Sequence, residues 1–257
     1  MTTTLLSRSQ LEIINRKTLR YPLMIAEKDY YLALAMQQIY DSSLREKLIF
    51  KGGTALHHCY LKQHRFSEDL DFNLLDRNLA VEQLAQAFES SGIFTVKKVF
   101  ASDYTLKIER LQYAGLLGQP GNIKVEIDVA QNTILPLKKL VYHNVWGVKT
   151  FAKVFDQREI CAEKIRATSQ RARYRDFYDL YLLIKQFSFS LVETINLVKQ
   201  KEVRTPISIT RIQQNWQIAK AQQASDLERI YCTNKIVNQQ IEKMIDSLDF
   251  ADINFSL

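Results

Sequence analysis

The chain has 257 residues, enough for one large domain or two smaller ones with a substantial core. Hydrophobic residues make up 46% of it, with only seven glycines and four prolines, which excludes a disordered or fibrous chain and favours a helix-rich globular one. The net charge of +7 is uneven: residues 97–224 carry 21 basic and 11 acidic side chains, whereas the stretch from Ser225 carries three and six, so a polyanionic partner over the central part is favoured.

No apolar run reaches the roughly 18 residues of a membrane span, and residues 1–8 lack a secretory pattern. A first helix is expected over residues 5–20, stopped by Pro22, and a second over 26–40. A short strand at 48–50 leads through Gly52-Gly53 into a helix over 54–61. A strand at 69–74 and a helix over 78–89, ended by Ser90-Ser91-Gly92, come next. Three strands follow at 93–100, 104–113 and 123–129, and one more around 145–151 inside a connection with no recognisable site. From Asp156, where Asp156-Gln157-Arg158-Glu159 reads as a capping box, the pattern is helical to the end, with amphipathic helices over 208–224 and 235–248. The expected division is into domains 1–150 and 151–257. Cys59, Cys161 and Cys232 have no metal spacing and read as small buried hydrophobes, which fits a reducing cytoplasm. His57, His58, His64 and His143 likewise read as structural or surface residues.

Chemistry concentrates in residues 50–72. Glycines at the mouth of a helix let a phosphate approach backbone N–H groups, where the helix dipole also favours negative charge. Asp69 and Asp71 are two apart, so on a strand they share a face while Leu70 and Phe72 take the other. Two carboxylates that close repel unless a cation lies between them, and a hard divalent ion that also takes phosphate oxygens fits.

The strings Lys51-Gly52-Gly53-Thr54-Ala55-Leu56 and Arg65-Phe66-Ser67-Glu68-Asp69-Leu70-Asp71-Phe72 resemble the AbiEii/AbiGii toxins, a branch of the DNA polymerase beta-like nucleotidyltransferases. A second block supports the resemblance, which covers residues 25–185: Ala162-Glu163-Lys164-Ile165, then Arg175-Asp176-Phe177-Tyr178-Asp179-Leu180, with Ile165 where the family has Leu. The resemblance implies a mixed α/β (α+β) nucleotidyltransferase core with a mixed sheet, followed by a helical domain. It implies that Lys51, Gly52, Gly53 and Thr54 hold nucleotide phosphates and that Asp69 and Asp71 bind Mg2+ or Mn2+. A third acidic residue is expected on a neighbouring strand: Asp128 as ligand or general base, with Glu126 as its substitute. Lys164 is expected to clamp the triphosphate and Asp179 to orient it. Arg171, Arg173 and Arg175 are a solvated run or, beside such a site, contacts to RNA phosphates.

The implied reaction moves a nucleoside monophosphate from an NTP to a hydroxyl, with tRNA or another RNA as acceptor. The implied partner is an antitoxin encoded nearby, and the implied biology is phage defence. The rivals are transfer to a small molecule or a protein side chain, and a non-catalytic nucleotide- or RNA-binding module.

Overall fold

The computed structural model describes residues 4–75, 79–187, 189–201, 203–233 and 235–254. They form two compact units: one within residues 1–63, 67–130 and 137–154, the other within 64–66, 131–136 and 155–257.

The first unit is a mixed sheet with helices. Helix α1 (Arg8–Lys17) opens on Ser7, whose hydroxyl and Gln10 form a capping box. Helix α2 (Leu23–Asp41) starts directly after Pro22, earlier than expected, because a proline preceding the first turn forfeits no intrahelical bond. After a 3-10 turn (Ser43–Glu46) come β1 (Leu48–Lys51), α3 (Gly52–Ala55) and β2 (Asp69–Leu74). Helix α4 (Val81–Glu89) follows; its expected start at Asn78 lies outside the described residues. Strands β3 (Phe94–Ala101), β4 (Thr105–Ala114), β5 (Pro120–Asp128), β6 (Lys138–Val141) and β7 (Phe151–Val154) complete the unit. The single strand expected around 145–151 is therefore corrected to a hairpin, β6 with β7. Residues 144–148 instead form a loop tied by the Asn144 side chain, which accepts from the Trp146 and Val148 amides.

Among the described residues the sheet order is β3-β4-β5-β2-β1-β7-β6. Strand β2 runs antiparallel to β1 and parallel to β5, and β1 runs parallel to β7. Alternation gives the central strands two unlike faces. Leu48, Phe50, Leu70, Phe72, Val125, Ile127 and Ile108 are buried on one side. Asp69, Asp71, Asn73, Lys124, Glu126, Asp128 and Lys107 occupy the other. Helix α2 is buried almost all round from Tyr30 to Met36 and packs against β5 and β7. Its Tyr31 stacks on Tyr113 with ring centroids 3.8 Å apart and donates to the Ala114 carbonyl at 2.7 Å.

The helix after the glycines also departs from expectation. It begins on Gly52 itself and widens into a π turn over Leu56–Tyr60. Lys62 and Gln63 then both adopt left-handed φ, 48° and 61°, a cost for residues with side chains. Asp29, wholly buried in α2, offsets it by accepting from Gln63 Nε2 and Trp146 Nε1, each at 2.7 Å. His58 lies in the same core, stacked on Tyr142, with Nδ1 2.8 Å from the His143 carbonyl and Nε2 3.6 Å from Asp29. Burial lowers its pKa despite the nearby Asp29 charge.

The second unit is helical: α5 (Gln157–Gln170), α6 (Tyr174–Gln186), α7 (Leu191–Gln200), α8 (Ile209–Ala221), α9 (Gln223–Ile230) and α10 (Asn238–Asp246). The helix expected over 208–224 thus ends at Ala221, and α9 starts anew after Gln222. Asp156 caps α5 through the Arg158 amide at 2.9 Å, but the expected capping box is corrected at its other member. Glu159 is drawn inward, accepting from the Ile134 and Leu135 amides and pairing with Lys201 at 2.8 Å, and so secures residues 131–136 to this unit. Trp216 packs on Phe177 at 5.2 Å. Among the described residues no helix is long and apolar enough to cross a membrane.

Asp29→Ala leaves two buried donors without an acceptor and should destabilise the first unit by about 3 kcal/mol. Urea unfolding followed by tryptophan fluorescence checks this; a loss under about 1 kcal/mol would show that the left-handed turn holds without Asp29.

Candidate active site

The site in the first unit starts from strand register. Lys51, the last residue of β1, pairs with Asp71 of β2, so the chain enters α3 directly beside that carboxylate. Gly52 has φ +74°, and a Cβ there would lie 2.5 Å from Asp71 Oδ2. Only glycine satisfies both the backbone and the space. Thr54 is buried, and its hydroxyl donates to the Asp69 carbonyl at 2.5 Å. The Thr54 side chain therefore ties α3 to β2.

Asp69 and Asp71 are both half-buried and on one face. Burial, and next the Asp69 charge, push the Asp71 carboxyl up to about 6, with Lys51 acting in the opposite direction. The protein thus leaves this pair short of positive charge. The neighbouring strand is in register Asp69 with Lys124, Asp71 with Glu126 and Asn73 with Asp128. Asp128 is accordingly one row away from Asp71, with Lys51 Nζ 3.5 Å from its Oδ2 and its Oδ1 accepting from the Ala130 amide. Glu126 is the carboxylate level with Asp71, but Lys124 at 2.7 Å and Lys107 at 3.2 Å hold it. Those lysines overcome the effect of burial and lower its pKa. Among the described residues no three His, Cys, Asp or Glu side chains stand together as a metal cage.

The other sequence block forms a buried ionic network within the second unit. Lys164 of α5, only 7% exposed, lies 2.8 Å from Asp176 Oδ1 and 2.8 Å from Asp179 Oδ2, both on α6. Arg65 grips Asp179 with two bonds, Nε to Oδ1 at 2.8 Å and Nη2 to Oδ2 at 2.6 Å. Arg171 grips Asp176 likewise, at 2.7 and 3.2 Å. Burial alone would raise the Asp176 carboxyl; Lys164 and Arg171 outweigh it and hold it well below the usual range. Among the described residues, Lys164, Arg65 and Arg171 face Asp176 and Asp179. Asp176 and Asp179 thus contact Lys164 at equal distance. Arg171 pairs with Asp176 and stays exposed at the surface. Arg173 precedes the first turn of α6 and is exposed, and Arg175 is half-buried.

Sequence reasoning passed over Arg65, Lys107 and Lys124. Arg65 had a signal, since a basic residue inside the aspartate string needs an acidic partner if it is buried. The two lysines become visible only through the pairing of β4, β5 and β2.

A family model described as "Nucleotidyl transferase AbiEii toxin, Type IV TA system" matches residues 34–250. Among solved structures, the chain is similar to MenT4, a nucleotidyltransferase toxin from Mycobacterium tuberculosis H37Rv, at 20% identity and a TM-score of 0.63, covering 95% of this chain and 91% of that one. It is also similar to JHP933 from Helicobacter pylori, at 17% identity and a TM-score of 0.57, covering 87% and 90% of the respective chains. A putative nucleotidyltransferase from H. pylori matches at 17% identity and a TM-score of 0.53, covering 90% and 100%. These likenesses bear on the fold. Comparison with curated proteins finds no match.

The lowered Asp176 pKa means that its contribution is complete above the unfolded value of about 3.9 and is lost as pH falls towards the folded one. Asp176→Asn should therefore be less stable than the parent by about 3 kcal/mol at pH 7. The gap should narrow by about 1 kcal/mol by pH 3. Urea unfolding of both proteins across that range tests the linkage, and a gap independent of pH would remove Asp176 from it.

Proposed function

Since the chain belongs to the AbiEii family of nucleotidyltransferase toxins of type IV toxin–antitoxin systems, we propose that it transfers a nucleoside monophosphate from an NTP to a hydroxyl of tRNA. Membership carries an NTP as substrate and an antitoxin as partner. The tRNA acceptor, the metal and a cytoplasmic setting, where arrested translation would serve phage defence, are our own reading.

One observation carries it: the Gly52–Asp71 contact makes the phosphate-binding turn and the carboxylate pair a single surface. The amides at Gly52 and Gly53 open α3 and are the donors for phosphate oxygens. Lys51, held between Asn73 and Asp128 at 3.5 Å each, fixes a positive charge beside the turn. Asp69 and Asp71 suit a divalent ion: they are acceptor-only oxygens on one face, and Asp71 already binds a proton more readily than an ordinary carboxylate. When bound, Mg2+ or Mn2+ supplies charge neutralisation for the triphosphate and the departing pyrophosphate. Asp128 acts through Lys51. In the second unit, Lys164 is the phosphate-directed charge, set in place by Asp176 and Asp179, while Arg173 and Arg175 meet RNA phosphates. The acceptor oxygen bonds to the α-phosphorus, the α–β bridging bond breaks and pyrophosphate leaves, with release of the acceptor's proton.

Incubating the protein with each labelled NTP and total RNA, with Mg2+ or with EDTA, tests this reading. Label should enter tRNA only with the metal, and Asp69→Asn or Asp71→Asn should cut transfer more than about 100-fold with the fold intact, the scale expected for removing a principal electrostatic element of a site. Label entering a small aminoglycoside or protein instead, or unimpaired variants, would overturn it.

A further inference from the structure

The open face of the sheet does not end at the carboxylates. Reading across the register, Lys51 of β1 lies level with Asp71 of β2, Asp71 with Glu126 of β5, Glu126 with Lys107 of β4, and Lys107 with Phe100 of β3. One transverse row therefore runs from the phosphate turn to the edge strand. Its last member is an aromatic ring, 48% exposed. Strands are about 4.8 Å apart, so three steps place Phe100 roughly 14 Å from Asp71. Single exposed apolar residues are ordinary, and position is what sets this one apart.

We propose that Phe100 is a stacking platform for a base near the single-stranded 3′ end of the RNA acceptor, with Lys107 and its neighbours facing the backbone. The inference rests on the RNA-acceptor reading and extends it. A base has a π-face that an exposed phenyl ring accepts whatever the sequence, and lysines beside the ring match the phosphates. On the strands beside it, Lys98, Lys107 and Lys124 are accompanied by Glu109 and Glu126. Lys98 pairs with Glu109, and Lys107 and Lys124 share Glu126, so the lysines are kept in place on the sheet. At a stacked rise of roughly 3.4 Å per nucleotide, 14 Å corresponds to about four nucleotides. The platform would thus hold a base a few positions behind the reacting hydroxyl and aim the terminus at Asp69 and Asp71.

Val99 supplies an internal control. It is adjacent and 44% exposed, yet it pairs with Ile108 and so takes the opposite face. The experiment compares the parent with Phe100→Ala, Phe100→Trp and Val99→Ala, using total tRNA as acceptor and a short single-stranded RNA carrying 2-aminopurine near its 3′ end as probe. Phe100→Ala should raise KM for tRNA about tenfold to a hundredfold, with kcat within about twofold, and should lose the quenching of 2-aminopurine. Its dissociation constant for NTP should not change. Phe100→Trp should retain both properties, and Val99→Ala should match the parent. If Phe100→Ala equals the parent, the platform is overturned while the acceptor reading stands. If Val99→Ala is impaired as much as Phe100→Ala, damage to β3 explains both and the platform is again overturned. If the parent neither labels nor binds tRNA, the acceptor reading falls and takes the platform with it.

Discussion

Strand β1 has to deliver its last side chain opposite Asp71 and follow it with a residue that has none, because the Asp71 carboxylate fills the space of a Cβ at position 52. The rest of the first unit keeps that contact in register. A slip of one residue between β1 and β2 would turn Asp69 and Asp71 towards the core and Phe72 towards solvent. Phe50 against Phe72, with ring centroids 5.2 Å apart, makes such a slip costly. The apolar face thus serves the polar one: its packing is what holds two unneutralised carboxylates beside the turn. The Thr54 hydroxyl on the Asp69 carbonyl adds a polar lock on the same junction.

Both units bury charge, and each does so with its bonding groups occupied. Asp29 receives two neutral donors in the core of the first unit. In the second, Glu159 satisfies two amides and Lys201, and Asp176 and Asp179 are shared among Lys164, Arg65 and Arg171. Buried ion pairs seldom add net stability over a well-packed apolar alternative, so their value here lies in position. Each pins a segment that no secondary structure would hold: the left-handed turn at Lys62 and Gln63, the segment 131–136, and the junction between α5 and α6.

What the sequence disclosed follows from which signals are local. Alternation made β2 and β5 legible, and the glycines announced a helix mouth, because each depends on neighbours within a few residues. The nucleotidyltransferase fold and family were legible from two motif strings. The β6–β7 hairpin was not: Lys138–Val141 is short, half polar and lies at a sheet edge, so its pairing with Phe151–Val154 leaves little trace in composition. Glu159 misled because a capping box and an inward-turned carboxylate share one sequence pattern, and only Lys201, 42 residues on, decides between them. Alternation puts Asp128 and Glu126 on one face but does not say which lies level with Asp71. That depends on the parallel register of β5 with β2, a non-local fact.

The string from Arg65 to Asp71 shows why a motif can carry more than its evident chemistry. Read alone, its aspartates draw all attention and Arg65 looks like a surface charge. In the structure Arg65 is fully buried, its guanidinium closed on Asp179 by two bonds and on the Phe66 carbonyl by a third at 2.7 Å, all within the second unit. Asp69, four residues later, begins β2 in the first. The segment is thus the covalent link between the ion network that sets Lys164 and the strand that bears the carboxylate pair. One short string therefore supplies a buried guanidinium to the second unit and a pair of carboxylates to the first, which is more than its aspartates alone announce.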